Sequence, residues 1–322
     1  MKNTDSHEQP IIWSTPRGRI SLLPSRGRIL QIEAAGQPCL WNPPQATAEW
    51  NLGGERLWIG PEPSWFWKQT ARVDFEQYQV PPGLDPDLWS VRAVSGDACE
   101  ATLPLDLHCH HEDRHLRLEI HRRFELLDEK ALALRGAAVG FAATTTLEIK
   151  DGTPGQSADL WSVIQVPVGG EMRMPLVGPA RPRDYFDPCP SSEMDEADGY
   201  LSLKIGGPAM FKIGVGPARV AGRIAYVRPV GNHWLVLERS FPVHAALPYC
   251  DAPLDAQGTQ GDAAQFFNDG GKFGVFGEME HRSPAIHCGS GPQLITETTI
   301  TTAALFDARE LEVWQAEFLG RP

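Results

Sequence analysis

The sequence predicts an all-β fold, a large antiparallel β-sandwich, and three observations carry that expectation. Apolar residues recur at every second position in segment after segment, and clusters of Gly, Pro and Asp separate those segments. Amphipathic stretches of helical period are scarce. The 322 residues include 31 Gly and 28 Pro, with a hydrophobic fraction of 42%, the balance of a globular chain with many turns. Sandwiches and barrels often stay one unit at ~250 residues or somewhat above. A polar tail over residues 1–10 followed by a single domain over 11–320 is therefore expected.

The early basic stretches Arg17-Gly18-Arg19 and Arg26-Gly27-Arg28, split by Ile20-Ser21-Leu22-Leu23, read as the ends of two strands. Period-two patterns follow over residues 28–33, 116–121, 147–150, 201–205 and 235–238. A hairpin between 105 and 121 puts Leu105, Leu107 and Cys109 on one face and His108 and His110 on the other. Its return strand adds His115, Arg117, Glu119 and His121 to the polar side. His-x-His on one strand face can chelate a metal. Paired charges across a solvated hairpin explain the pattern better, and no metal is expected. Residues 175–198, rich in Pro, Asp, Ser and Glu, read as a long surface excursion. Residues 309–318 also alternate and are expected to form a closing strand.

A net charge of -12 argues against nucleic acid, whose binders need a basic stripe to displace counterions. No run of eighteen apolar residues is present, so no membrane span is expected. The first ten residues lack the apolar centre of a secretory signal. Cys39, Cys99, Cys109, Cys189, Cys250 and Cys288 are far apart and form no Cys-x-x-Cys pair, the pattern of isolated thiols. A cytoplasmic location is the expectation, for a monomer or homodimer. Gly214-x-Gly216 runs into Pro217 and lacks the spacing of a dinucleotide loop. Gly289-Ser290-Gly291 lacks a nucleophile elbow. No cofactor is expected.

The strongest chemical signal lies at Gly277-Glu278-Met279-Glu280-His281-Arg282. Alternation places Glu278 and Glu280 on one strand face, with Val275 and Met279 on the other. Two carboxylates on one β face mark either a solvent-open surface, where Arg282 and neighbours neutralise them, or a cleft that raises an acid's pKa. Their Cα atoms stand about 6.6 Å apart, between the carboxyl spacings of retaining and inverting glycosidases, so the spacing selects neither. Phe276 would provide a stacking wall, and the preceding loop would set Asn268 and Asp269 beside it. Seven of the ten tryptophans (Trp13, Trp41, Trp50, Trp58, Trp65, Trp67, Trp89) fall in the first ninety residues. They concentrate flat apolar faces near Arg56 and Glu62, a combination that suits sugars. The alternative is that they fill the space between two sheets.

Taken in order, Gly53-Gly54-Glu55-Arg56-Leu57-Trp58 with Pro61-Glu62, then Phe211-Lys212-Ile213-Gly214, then the Phe-Asn-Asp-Gly loop, then Phe276 through Pro284 resemble a branch of the galactose mutarotase-like superfamily. The resemblance spans about residues 11–318. It implies a supersandwich with a carbohydrate site on its concave face, as in aldose 1-epimerases. In those enzymes a late glutamate takes the anomeric hydroxyl proton and a histidine protonates the ring oxygen. Glu280, or Glu278 one pleat away, matches that base by order. The implied site joins Arg56 or a displaced histidine as electrophile with Trp65, Trp67, Glu62, Gln165, Asn268, Asp269 and Phe276 as sugar contacts. The family's histidines have no counterpart: the corresponding stretches read Leu52-Gly53-Gly54-Glu55-Arg56 and Ala158 through Gln165, and Asn232-His233 falls too late. Three readings stay open: an epimerase-type enzyme, a non-catalytic sugar-binding or sensing protein, and a lyase or hydrolase acting on an acidic glycan.

Overall fold

The alternating segments become strands, twenty-one among the described residues. In chain order they are β1 (Ile11–Thr15), β2 (Gly18–Leu23), β3 (Arg28–Ala34), β4 (Gln37–Pro38), β5 (Glu55–Gly60), β6 (Ser90–Ser95) and β7 (Ala98–Cys109). There follow β8 (Arg114–Leu126), β9 (Val139–Gly152), β10 (Ser157–Pro167), β11 (Glu171–Pro175), β12 (Arg183–Asp184), β13 (Met194–Ala197) and β14 (Tyr200–Lys204). The last are β15 (Phe211–Val215), β16 (Arg223–Val230), β17 (His233–Ser240), β18 (Ala264–Asn268), β19 (Phe276–Arg282), β20 (Ile286–His287) and β21 (Leu294–Phe306). The computed structural model describes residues 9–43, 51–70, 72–85, 89–197 and 199–320. Most of the polar tail (1–8), Trp50 and Asp198 lie outside the described residues.

The strands form two antiparallel sheets. An 11-stranded sheet runs β1-β2-β3-β5-β10-β19-β18-β15-β12, with β4 on β3 and β20 on β10; a 10-stranded sheet runs β13-β14-β11-β16-β17-β21-β9-β8-β7-β6. Inward-facing Ile164, Val166, Ile213, Phe266 and Met279 of the first sheet pack against Met172, Leu201, Tyr226 and Leu235 of the second. Each such side chain contributes roughly 1.5–3 kcal/mol by leaving water. Leu57 and Ile59 join Leu103, Leu118, Ile120 and Leu147 in a second apolar cluster. A buried polar contact also bridges the sheets, where Arg122 Nη2 donates to Glu55 Oε1 at 2.8 Å.

Three local expectations are corrected. Residues 309–318 belong to a helix, Ala308–Phe318, rather than a closing strand. Asp307 Oδ1 accepts from the Glu310 amide at 2.8 Å and Glu310 Oε2 accepts from the Asp307 amide at 2.9 Å, a capping box that satisfies two helix-end donors. Leu311, Trp314 and Phe318 then share one helical face, packed on the outer side of the second sheet. The 175–198 segment is only partly a surface excursion, because it holds β12 and β13 and buries Ala180 and Tyr185. Val275 precedes β19 and is exposed, so Met279 alone carries the inward face assigned to both.

The histidine hairpin buries Leu105, Leu107 and Cys109 as expected. His115 pairs with Asp106 at 2.8 Å and His108 with Asp113 at 3.1 Å at its exposed surface. Among the described residues, no group of three or more His, Cys, Asp or Glu is arranged to hold a metal ion, and no helix is long and apolar enough to cross a membrane.

Candidate functional site

Strand register assembles the site on the face of the first sheet turned away from the second. Lys212 of β15 stands opposite Phe267 of β18, Phe267 opposite Glu278 of β19, and Glu278 opposite Gln165 of β10. One pleat along, Gln265, Glu280, Val163 and Arg56 align across β18, β19, β10 and β5. Residues two apart share a face, so Arg56 and Trp58, or Glu278 and Glu280, open onto one surface while their neighbours fill the core.

A narrow cleft lies over this surface, with about 410 Å³ of atom-free space when the open solvent at its mouth is included. Arg56, Glu62, Lys212, Glu278 and Glu280 line it together with Trp58 and Trp161. The Arg56 guanidinium lies 3.8 Å from the centre of the Trp58 ring and the Lys212 ammonium 4.4 Å from that of Trp161. Both cations are thus held against indole faces.

Each carboxylate has a distinct environment. Glu278 Oε1 accepts from Arg56 Nη2 and from Gln165 Nε2, both at 2.9 Å. Burial pushes this carboxyl up, Arg56 opposes the rise and nearby Glu280 adds to it, leaving the group at about 7. Glu280 Oε2 accepts from Trp161 Nε1 at 2.5 Å and lies 3.0 Å from Lys212 Nζ. Glu280 Oε1 is buried with no hydrogen-bond partner among the described residues. Glu62 enters from the turn after β5 and accepts from Lys212 Nζ at 3.1 Å. Burial raises the Glu62 carboxyl, against the pull of Lys212. Burial also works to lower the Lys212 ammonium, but Glu280 and Glu62 outweigh it and hold the group above its ordinary value.

A second polar shell fixes these groups. Arg282, on the same face as the glutamates, does not neutralise them by direct pairing. Its Nη1 donates to Asp159 Oδ1 at 3.1 Å, its Nη2 lies 3.0 Å from Asp251 Oδ2, and its Nε donates to Gln265 Oε1 at 3.1 Å. Asp251 Oδ1 in turn accepts from the Glu62 amide at 2.8 Å. Gly60 makes room for the shell: a Cβ there would lie 2.0 Å from Arg282 Nη1 and 2.3 Å from Asp159 Oδ1.

The residues expected at the site divide into three groups. Arg56, Glu62, Phe276, Glu278 and Glu280 line the cleft. Gln165 is buried beneath them and orients Glu278. Asn268 points away from the cleft, donating to the Gly207 and Ala209 carbonyls at 3.0 and 2.7 Å. Asp269 caps the next turn through the Phe273 and Gly274 amides at 2.9 and 3.1 Å, which holds Phe273 at the cleft. Trp65 and Trp67 lie outside its lining. Trp65 Nε1 donates to the Gly60 carbonyl at 3.1 Å, and Trp67 packs edge-on to Tyr78 at 5.0 Å. Among the described residues, the indoles at the cleft are Trp58 and Trp161. Sequence reasoning did not place Lys212, Trp161 or Asp251 here. A lysine amid Phe211, Ile213 and Val215 is a usable signal, since lysine is almost never buried unless paired.

Residues 43–147 match a family of unknown function, DUF6786. No curated protein matches the chain. Among solved structures the chain is similar to a galactose mutarotase-like protein from Lactobacillus casei ATCC 334, at 12% identity and a TM-score of 0.56, over 91% of this chain and 99% of that one. It is also similar to a candidate aldose 1-epimerase from Escherichia coli K12, at 9% identity and a TM-score of 0.55, over 92% and 98% of the two chains. A galactose mutarotase related enzyme from Lactobacillus acidophilus aligns at 8% identity and a TM-score of 0.50, over 92% and 97%. At such identities the likeness is one of fold: this chain has the galactose mutarotase-like β-sandwich.

Proposed function

We propose that the protein binds a neutral sugar in this cleft and performs acid and base chemistry at its anomeric carbon, in the manner of an aldose 1-epimerase. The observation that carries the reading is the buried, unpartnered Oε1 of Glu280, a residue that lines the cleft together with an acid at about 7. An orphaned buried acceptor is costly, and an anomeric hydroxyl would satisfy it. Glu280 would take the proton of that hydroxyl. Glu278, protonated in about half of the molecules near neutral pH, would give its proton to the ring oxygen. The bond between C1 and the ring oxygen breaks, C1 becomes an aldehyde, and reclosure on its other face returns both protons. Positioned acid and base groups of this kind contribute typically ~10²–10⁴ in rate.

The charge arrangement disfavours an acidic glycan. Arg56 is paired with Glu278, and Lys212 with Glu62 and Glu280, so a uronate would have to displace one of these carboxylates. A second reading, sugar binding without turnover, is favoured by one feature: among the described residues no histidine lines the cleft.

Anomeric exchange of freshly dissolved sugars, followed by NMR, separates the two. Wild type is expected to accelerate exchange of at least one sugar, and Glu280→Gln to lose ~10²-fold or more of that acceleration. Binding without exchange supports the second reading. If no sugar is either bound or equilibrated faster, both fail.

A further inference from the structure

The cleft is chemically two-sided. Its charged groups sit on the sheet, or in Glu62 on the turn directly after β5. The rest of its loop-borne lining is Phe75, Tyr78, Phe186 and Phe273. The three phenylalanines come from three separate loops and meet edge to face, Phe75 to Phe186 at 5.0 Å and Phe75 to Phe273 at 5.8 Å. Phe186 continues the apolar surface onto Phe267 of β18 at 6.3 Å. All three are half-buried, so they form a roof at the mouth rather than part of the core. The Tyr78 hydroxyl is the one polar side-chain group the roof offers among the described residues, and Lys272 lies over Phe75 without lining the cleft.

A hexopyranose whose anomeric end met Glu278 and Glu280 on the sheet would present its remote end to the loop-borne side of the cleft. An exocyclic hydroxymethyl group there would lay its hydroxyl largely against aromatic carbon, with the Tyr78 hydroxyl as the one side-chain partner the roof supplies among the described residues. A methyl group in the same place would gain apolar contact. A phosphate or carboxylate would bring a further negative charge to a site where three carboxylates already share two cations. We infer that the preferred ligand is a neutral sugar with an apolar group remote from the anomeric carbon, of the 6-deoxyhexose class, with Phe75, Phe186 and Phe273 selecting for it. The inference rests on the sugar-site reading above and is independent of turnover.

The test is ligand titration by NMR with matched pairs: D-galactose against 6-deoxy-D-galactose, and D-glucose against 6-deoxy-D-glucose. Glucose 6-phosphate and galacturonate serve as the anionic members. At least one deoxy sugar is expected to bind about tenfold more tightly than its parent, the scale on which one group in an apolar pocket discriminates. Phe186→Gln, which supplies a hydrogen-bonding partner, should bring that ratio near unity, while Phe186→Leu should retain it. Parents bound as well as deoxy sugars, or an anionic sugar bound best, overturns the inference. Deoxy preference without anomeric exchange sinks the acid and base proposal and leaves this one standing. Exchange without deoxy preference does the reverse, and no binding by any sugar overturns both.

Discussion

Replacing Glu278 by Gln removes a buried titration from the fold, and its consequence for stability can be worked out in advance. The carboxyl rises from 4.5 to about 7 because burial strips its water more effectively than Arg56 compensates. Between these values the folded chain holds a proton that the unfolded chain has released. The stability that Glu278 contributes is therefore greatest below about pH 4.5, falls as pH climbs toward 7, and levels beyond it. The protonation advantage is about 2.5 kcal/mol at pH 5 and close to zero at pH 8. Glu278→Gln also removes the carboxylate that Arg56 meets at 2.9 Å, so the comparison rests on how stability changes with pH rather than on its absolute value. Urea unfolding of both proteins at pH 5, 6, 7 and 8 isolates the titration, since stability follows from the midpoint and slope. From pH 5 to pH 8 the wild type should lose about 2.5 kcal/mol more than the variant. Parallel profiles, separated by a constant amount, would refute the reasoning and return Glu278 to the behaviour of a solvated carboxylate.

Lys212→Met leaves Glu62 and Glu280 buried without the ammonium now 3.1 and 3.0 Å away. Removing one partner of such a cluster costs about 3–5 kcal/mol, so the variant should unfold at markedly lower urea at pH 7. Adding Glu62→Gln should recover part of the loss, and no recovery would show that the two groups do not compensate each other. Asp307→Ala deletes the N-cap of the chain's last helix and should lower stability by about 1 kcal/mol, read from the same unfolding curves. A loss under about 0.3 kcal/mol would mean that the packing of Trp314 and Phe318 alone holds that helix.

The all-β class was legible because alternation is local: the strands over 28–33, 116–121 and 235–238 declare themselves within a few residues. That Glu278 and Glu280 share a face followed from the same period. Helix Ala308–Phe318 was misread although its signals were local too. Asp307 and Glu310 have capping-box spacing, and Leu311, Trp314 and Phe318 fit a helical stripe, but the coincidental alternation of Glu310, Leu311, Glu312 and Val313 resembled another strand. Trp65 and Trp67 show a different limit. Composition marks an aromatic-rich segment, but nothing in it says which indoles open onto a cleft and which pack beneath a loop.

By itself, then, the sequence determined the strand alternation, the common face of the two glutamates and the resemblance that points to a sugar. Tertiary structure alone decided that Lys212 joins Glu280, because the order β10-β19-β18-β15 is a matter of long-range closure that no period within a strand encodes. It likewise decided that Arg282 serves Asp159 and Asp251 rather than the glutamates. The raised carboxyl of Glu278 also belongs to the tertiary level: desolvation depends on what surrounds a group, and its neighbours Arg56 and Gln165 come from strands distant in the chain.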